Sequence, residues 1–183
     1  MRKLIESTFV SLDGDVSHRL MDWAPEYWDE EYFAYERRLL FAADALVLGR
    51  KTYDGFSVSW PERHGDPYTD RINSMPKFVA STTLDAPAMT WNATRLPGDA
   101  IDAVADLKQE PGASLLKFGS GAFSRGLIER GLIDEFHLWR FPVIAGASDD
   151  ERFAGLPVTH LRLADVTTFA SGIVIQVYQP KSA

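Results

Sequence analysis

The chain contains no cysteine, which excludes disulfides, thiolate metal ligands and thiol nucleophiles together. Histidine is scarce: His18, His64, His137 and His160 stand far apart, without the spacing of metal ligands, so no metal site is expected. No apolar run approaches the length that crosses a bilayer. The run after the basic start Met1-Arg2-Lys3 breaks at Glu6-Ser7-Thr8, which argues against a secretory leader and makes the cytoplasm the expected location. Basic charge is also short, with 19 Lys and Arg against 26 Asp and Glu for a net charge of -7. The basic residues form no run, so neither nucleic acid nor an anionic membrane is an expected partner. Any anionic ligand must be held by a local cluster of donors rather than by the protein's overall field.

What is present fits one soluble domain over residues 1–183. The 183 residues are 45% hydrophobic and 25% charged, enough for one sizeable core. Leu4 to Leu12 is rich in strand formers and ends at Asp13-Gly14, a dipeptide suited to a tight turn. Tyr27, Trp28, Tyr32, Tyr35, Leu39 and Leu40 fall near helical spacing, which predicts a helix over 25–43 with Pro25 in its first turn. Ala45 to Leu48 reads as a short buried strand closed by Gly49. Residues 57–73, with two prolines and a glycine, read as a loop with one short helical turn. Lys77 to Ser81 and Met89 to Asn92 read as strands and Asp99 to Gln109 as a helix. Leu115 to Phe118 reads as a strand, Ala122 to Arg130 as a helix and Ile133 to Val143 as a long strand. Leu161 to Thr168 and Ile173 to Tyr178 form a hairpin around Ser171-Gly172. Strands and helices that alternate before a final hairpin predict an α/β fold. Its mixed, mostly parallel sheet is flanked by helices and carries antiparallel strands at one edge.

Three residue sets have the chemistry of an anion site. Gly119-Ser120-Gly121 joins a strand to the helix that opens at Ala122, where glycine permits close approach and the helix-start amides supply donors. It lacks the third glycine of a dinucleotide fingerprint, because position 124 is Ser124. Gly49-Arg50-Lys51-Thr52 brings two cations and a hydroxyl to a second strand end, a set that suits a phosphate monoester. Ser81-Thr82-Thr83 places hydroxyls after a third. Each set alone is also what an ordinary strand-to-helix turn looks like. Their common position at the carboxyl ends of predicted strands is what points to ligand binding, since those ends share one edge of a parallel sheet. The aromatic and acidic stretch 22–31, which includes Glu26, reads either as the lining of a flat-ring pocket or as an amphipathic helix with solvated acids. Asp149-Asp150-Glu151 lacks the alternating ligands and central glycine of a calcium loop and reads as a solvated turn.

In order along the chain, five motifs resemble the dihydrofolate reductase family in its riboflavin-biosynthesis reductase branch. They are Ser11-Leu12-Asp13-Gly14, Leu48-Gly49-Arg50-Lys51-Thr52-Tyr53, Met75-Pro76-Lys77-Phe78-Val79-Ala80-Ser81, Gly119-Ser120-Gly121 and Gly131-Leu132-Ile133-Asp134-Glu135. The resemblance implies an NADPH-dependent reductase acting on a small heterocyclic or carbonyl substrate, and a homodimer. It assigns the adenosine phosphate to Gly49, Arg50, Lys51, Thr52, Ser81 and Thr82, and the pyrophosphate to Gly119, Ser120, Gly121 and Ala122. The loop from Asp13 to Trp23 would cover the nicotinamide, with Asp13 or Glu26 as proton donor. Two departures are visible. Tyr27 stands near the place of the dihydrofolate reductase acid, and the Pro142-Val143-Ile144-Ala145-Gly146 loop continues with Ser148 and two acids where that branch has a second glycine and then a base. The first departs from folate reduction, and the altered loop at 145–150 motivates, as the alternative, a nucleotide-binding module without turnover.

Overall fold

The computed structural model describes residues 1–84, 89–146 and 155–181. The expectations for Ser148 and for the acidic turn at 149–151 therefore lie outside the described residues. The chain forms two compact units, residues 1–4 with 37–118 and residues 5–36 with 119–183.

The first unit holds β2 (Ala43–Gly49), α2 (Arg50–Ser59), α3 (Pro67–Ser74), β3 (Lys77–Ala80), β4 (Ala93–Arg95), α4 (Ala100–Gln109) and β5 (Ser114–Phe118). Its strands are all parallel in the order β4-β3-β2-β5. β2 is interior, and Leu46, Val47 and Leu48 are fully buried. A strand covered on both faces has no need of polar alternation, which explains its continuous apolar run.

Residues 57–73, expected as a loop with one short helical turn, hold more helix than that: they complete α2 and form most of α3. Asp66 accepts hydrogen bonds from the Tyr68 and Thr69 amides at 2.9 and 3.0 Å. Pro67 follows at the first helical position, where its missing N–H costs nothing. The strand expected at Met89 to Asn92 is a turn, with Trp91 and Asn92 both left-handed (φ 61° and 52°) and β4 starting at Ala93. That conformation is held by side chains. Trp91 Nε1 donates to Asn73 Oδ1 at 2.7 Å, Asn92 Nδ2 donates to the Ser74 carbonyl at 2.9 Å, and the Lys77 ammonium lies 4.1 Å from the centre of the Trp91 ring.

The second unit holds β1 (Leu4–Val10, from Ile5 onward), α5 (Ala122–Glu129), β6 (Glu135–Arg140), β7 (Leu161–Thr168) and β8 (Val174–Pro180). β1 and β6 are parallel, β8 is antiparallel to β6, and β7 is antiparallel to β8. The sheet is thus mixed and mostly parallel, with the expected terminal hairpin. β6 is shorter than the strand expected from Ile133 to Val143. The helix expected from Pro25 begins later. Ala24–Tyr27 makes one 3₁₀ turn, and α1 (Glu30–Ala42) starts after Asp29, whose carboxylate accepts from the Tyr32 amide at 2.8 Å.

Alternation along β1 and β6 sorts two very different faces. Phe9 and Trp139 lie against Tyr32 and Tyr35, with ring centroids 5.0 to 5.9 Å apart in tilted and edge-on contacts. Trp139 is fully buried and donates from Nε1 to Ser7 Oγ at 2.9 Å. Tyr35 shares a 2.9 Å hydrogen bond with His137 Nδ1. This aromatic layer is the core of the second unit. Glu6, Thr8, Val10, Phe136, Leu138 and Arg140 belong to the opposite face. No helix among the described residues is long and apolar enough to cross a membrane.

Candidate functional site

In the first unit, Gly49 pairs with Ala80, so the carboxyl ends of β2 and β3 lie side by side. α2 begins at Arg50 with Gly49 in extended conformation and no side-chain cap. The first turn of such a helix presents N–H groups that lack intrahelical partners and the positive end of the helix dipole. Arg50 reaches across the two strand ends, and its Nη1 donates to Thr83 Oγ1 at 2.9 Å. Its Nε faces both carboxylate oxygens of Asp54 at 2.7 and 2.8 Å.

Ser81 Oγ accepts from the amides of Thr83 and Leu84 at 3.2 and 3.1 Å, which folds the segment after β3 back as a tight turn. Lys51 and Thr82 are exposed, and Thr52 is half-buried. The structure thus brings together Gly49, Arg50 and the Ser81 turn. Thr83, rather than Thr82, is the hydroxyl that Arg50 engages. Asp54 was not singled out from the sequence, although its position four residues after Arg50 on one helix is the spacing at which such pairs meet.

In the second unit, Gly119 adopts φ +71°, a left-handed conformation that favours glycine, and its amide donates to the Ser7 carbonyl at 2.8 Å. Gly121 caps α5 in extended conformation, and its amide donates to Ser124 Oγ at 3.3 Å. Ala122 is the first residue of that helix. The Ser120 hydroxyl is buried without a hydrogen-bond partner.

The two proton-donor candidates are both exposed. Asp13 Oδ1 accepts from Ser11 Oγ at 2.6 Å and from the Ala145 amide at 3.0 Å. Together with the Leu12 amide, which donates to the Val143 carbonyl at 2.8 Å, it fastens the Ser11-Gly14 turn to the segment after β6. Glu26 lies in the 3₁₀ turn Ala24–Tyr27. Among the described residues of this unit the buried acids are others: Glu6 is 2% exposed and Asp15 5%. Glu6 was read only as a break in an apolar run. An acid at an inward position of a strand is the signal that could have found it.

A mixed, mostly parallel sheet with glycine-bearing turns after its strands and an antiparallel terminal hairpin is a dihydrofolate-reductase-like architecture. Within that architecture the chain belongs to the RibD C-terminal domain family, whose model matches residues 2–175. It is 27% identical over 184 residues to the uncharacterised protein YyaP of Bacillus subtilis strain 168, covering 97% of this chain and 94% of that one. A solved structure from Shewanella sp. PV-4, of a protein named for riboflavin biosynthesis, superimposes with a TM-score of 0.74 at 24% identity, covering 98% and 99% of the two chains. A diaminohydroxyphosphoribosylaminopyrimidine deaminase/5-amino-6-(5-phosphoribosylamino)uracil reductase from Thermotoga maritima aligns with a TM-score of 0.65 at 14% identity. The match covers 98% of this chain and 57% of that one.

Proposed function

We propose that the protein is an NADPH-dependent reductase that transfers hydride to a small heterocyclic, pterin- or pyrimidine-like, or carbonyl substrate. The observation that carries this reading is the Arg50–Thr83 hydrogen bond across the ends of β2 and β3. It pairs a fixed cation with a hydroxyl beside the start of α2, a donor set matched to a phosphate monoester. Gly49, Lys51, Thr52, Ser81 and Thr82 complete the set proposed for the adenosine phosphate, and Gly119 to Ala122 the turn proposed for the pyrophosphate. The fit of that turn rests on its open space, since a Cβ built on Gly121 meets nothing within 4 Å. NADPH, when bound, supplies the hydride.

The chain's own part is to orient the substrate and to deliver a proton. As hydride adds to the carbon of a C=O or C=N bond, the oxygen or nitrogen takes up a proton, and Asp13 or Glu26 is proposed as its source. One observation favours the second reading, a nucleotide-binding module without turnover: Asp13 Oδ1 already accepts two hydrogen bonds that hold its loop. The test is NADPH oxidation, followed at 340 nm, across a panel of pterins, pyrimidines and carbonyl compounds. Turnover of any of them that Asp13→Asn or Glu26→Gln abolishes supports the reductase reading. Tight NADPH binding without turnover overturns it in favour of the binding module.

A further inference from the structure

We infer that two copies of the chain pack face to face through the open side of β6, β8 and β7, the side opposite the aromatic layer. β7 ends the sheet and has only β8 beside it. Every residue of β7 but Thr167 is exposed. Its register with β8 shows which side chains share a face. Ile175 and Val177 of β8 are buried, and Ile175 pairs with Trp139 of the aromatic layer. Arg162, Asp165 and Thr167 stand on that same side, because their partners are Gln179, Val177 and Ile175. Arg162 donates to Gln179, which donates to Glu135 at 3.0 Å, so a polar row lies there. Leu161, Leu163 and Val166 stand on the open side, opposite Pro180, Tyr178 and Gln176.

A bulge produces this sorting. The register shifts between Leu163 and Asp165, where β7 carries one extra residue. Strict alternation would set Asp165 beside Leu161 and Leu163 and turn Val166 away. The extra residue does the reverse and lines up three apolar side chains, which are 37%, 53% and 46% exposed. An apolar row held on an open face marks an interaction surface. Several observations point to a second copy as its occupant. The bulge and the charges of Arg162 and Asp165 hinder pairing along the free edge of β7, which leaves the face. The side chains that β8 and β7 send to that face are uncharged, and on a chain of net charge -7 this is where a like-charged copy approaches at least cost. A twisted sheet is matched by another of the same twist, and a two-fold axis pairs the patch with itself. At about 3.3 Å per residue and about 4.8 Å per strand, the three strands offer about 26 Å by about 14 Å. Side-chain relief raises the accessible area above that projection, toward the roughly 500 Å² a side at which specific interfaces begin. A dimer of this size dissociates on dilution.

The inference is independent of the reductase reading, and its test needs no turnover. Sedimentation equilibrium of the full chain over a dilution series should show a dimer in exchange with monomer. Leu163→Asp and Val166→Asp each bring an unpaired acid into the contact and should raise the dissociation constant by at least about tenfold. Both positions are exposed in the single chain, so the fold should persist in circular dichroism. If either variant fails to fold, Leu163→Ala carries the test, since it should weaken the dimer in the same direction. Arg162→Ala, next to Leu163 in sequence but on the other face, should leave the dissociation constant unchanged. A wild-type chain that stays monomeric at every concentration would overturn the inference, as would a dimer that the variants at 163 and 166 leave intact. A dimer that Arg162→Ala weakens as much as they do would overturn it too, because the contact would then run along the β7 edge.

Discussion

The guanidinium of Arg50, at the start of α2, donates to the hydroxyl of Thr83, in the turn after β3, at 2.9 Å. This contact joins a helix start to a turn that sequence order separates by more than thirty residues, and it orients the cation on which the proposed cofactor selection depends.

Replacement of Arg50 by alanine should lower NADPH affinity by about tenfold to a hundredfold, the range of a charge-assisted hydrogen bond, and leave NADH affinity unchanged. Stability should change little. The side chains of Arg50 and Asp54 are 41% and 49% exposed, and exposed pairs at this spacing contribute about 0.3–0.5 kcal/mol. Asp54→Asn should act in the opposite direction on NADPH, because it removes the acid that competes with a phosphate for Arg50. Parallel titrations of the three proteins with both nucleotides check this.

The two glycines of the turn after β5 should respond differently to alanine. At Gly119, φ +71° makes a side chain costly by about 1–2 kcal/mol, so Gly119→Ala should lower the melting temperature by several degrees. At Gly121 the backbone is extended, at φ 174°, and a Cβ meets nothing within 4 Å. Gly121→Ala should therefore cost about 0.5 kcal/mol or less in stability, yet weaken NADPH if a pyrophosphate approaches that backbone closely. Melting curves and NADPH titrations of the two variants separate the roles.

Trp139 should be among the most sensitive core positions. It is fully buried, touches Phe9, Tyr32, Tyr35 and Phe169, and donates to Ser7. Trp139→Ala should destabilise by about 3–5 kcal/mol. Trp139→Phe should cost less, since it keeps an aromatic ring and loses the hydrogen bond. Urea denaturation gives both values.

Lys77 supplies a pH dependence. It is fully buried, and burial pushes its pKa down from 10.5 to about 8. The Asn73 carbonyl, which accepts from Nζ at 2.8 Å, and the Trp91 ring favour the cation and oppose a still larger shift. Between about pH 8 and 10.5 the unfolded chain holds a proton that the folded chain has lost, so this group makes stability rise with pH across that window. Below about pH 8 both states are protonated and its contribution is flat. In Lys77→Met the rise should be missing, and the difference between the two proteins' denaturation midpoints from pH 7 to 10.5 isolates it.

Much of the fold was legible because its signals are local. The β2 run Ala45 to Leu48, the glycines after β2 and β5, and the hairpin around Gly172 each follow from a few neighbouring residues. The region 57–73 misled because Pro61, Gly65 and Pro67 read as loop residues, although Asp66 followed by Pro67 is also the start signal of α3. The apolar look of Met89 to Asn92 concealed a turn held by Asn73 and Ser74, which are remote in sequence. The candidate site divides in the same way. Arg50 and Ser81 stand beside strand ends and could be read there. The burial of Glu6 and Thr8 depends on β6, more than 120 residues away, and a contact at that distance leaves no trace in local spacing.

The central claim is that the chain binds NADPH and selects it through the 2′-phosphate, and equilibrium titration of the wild-type protein with NADPH and NADH tests it most directly. The account predicts saturable NADPH binding at least about tenfold tighter than NADH binding. Absence of NADPH binding, or equal affinity for the two nucleotides, would contradict it.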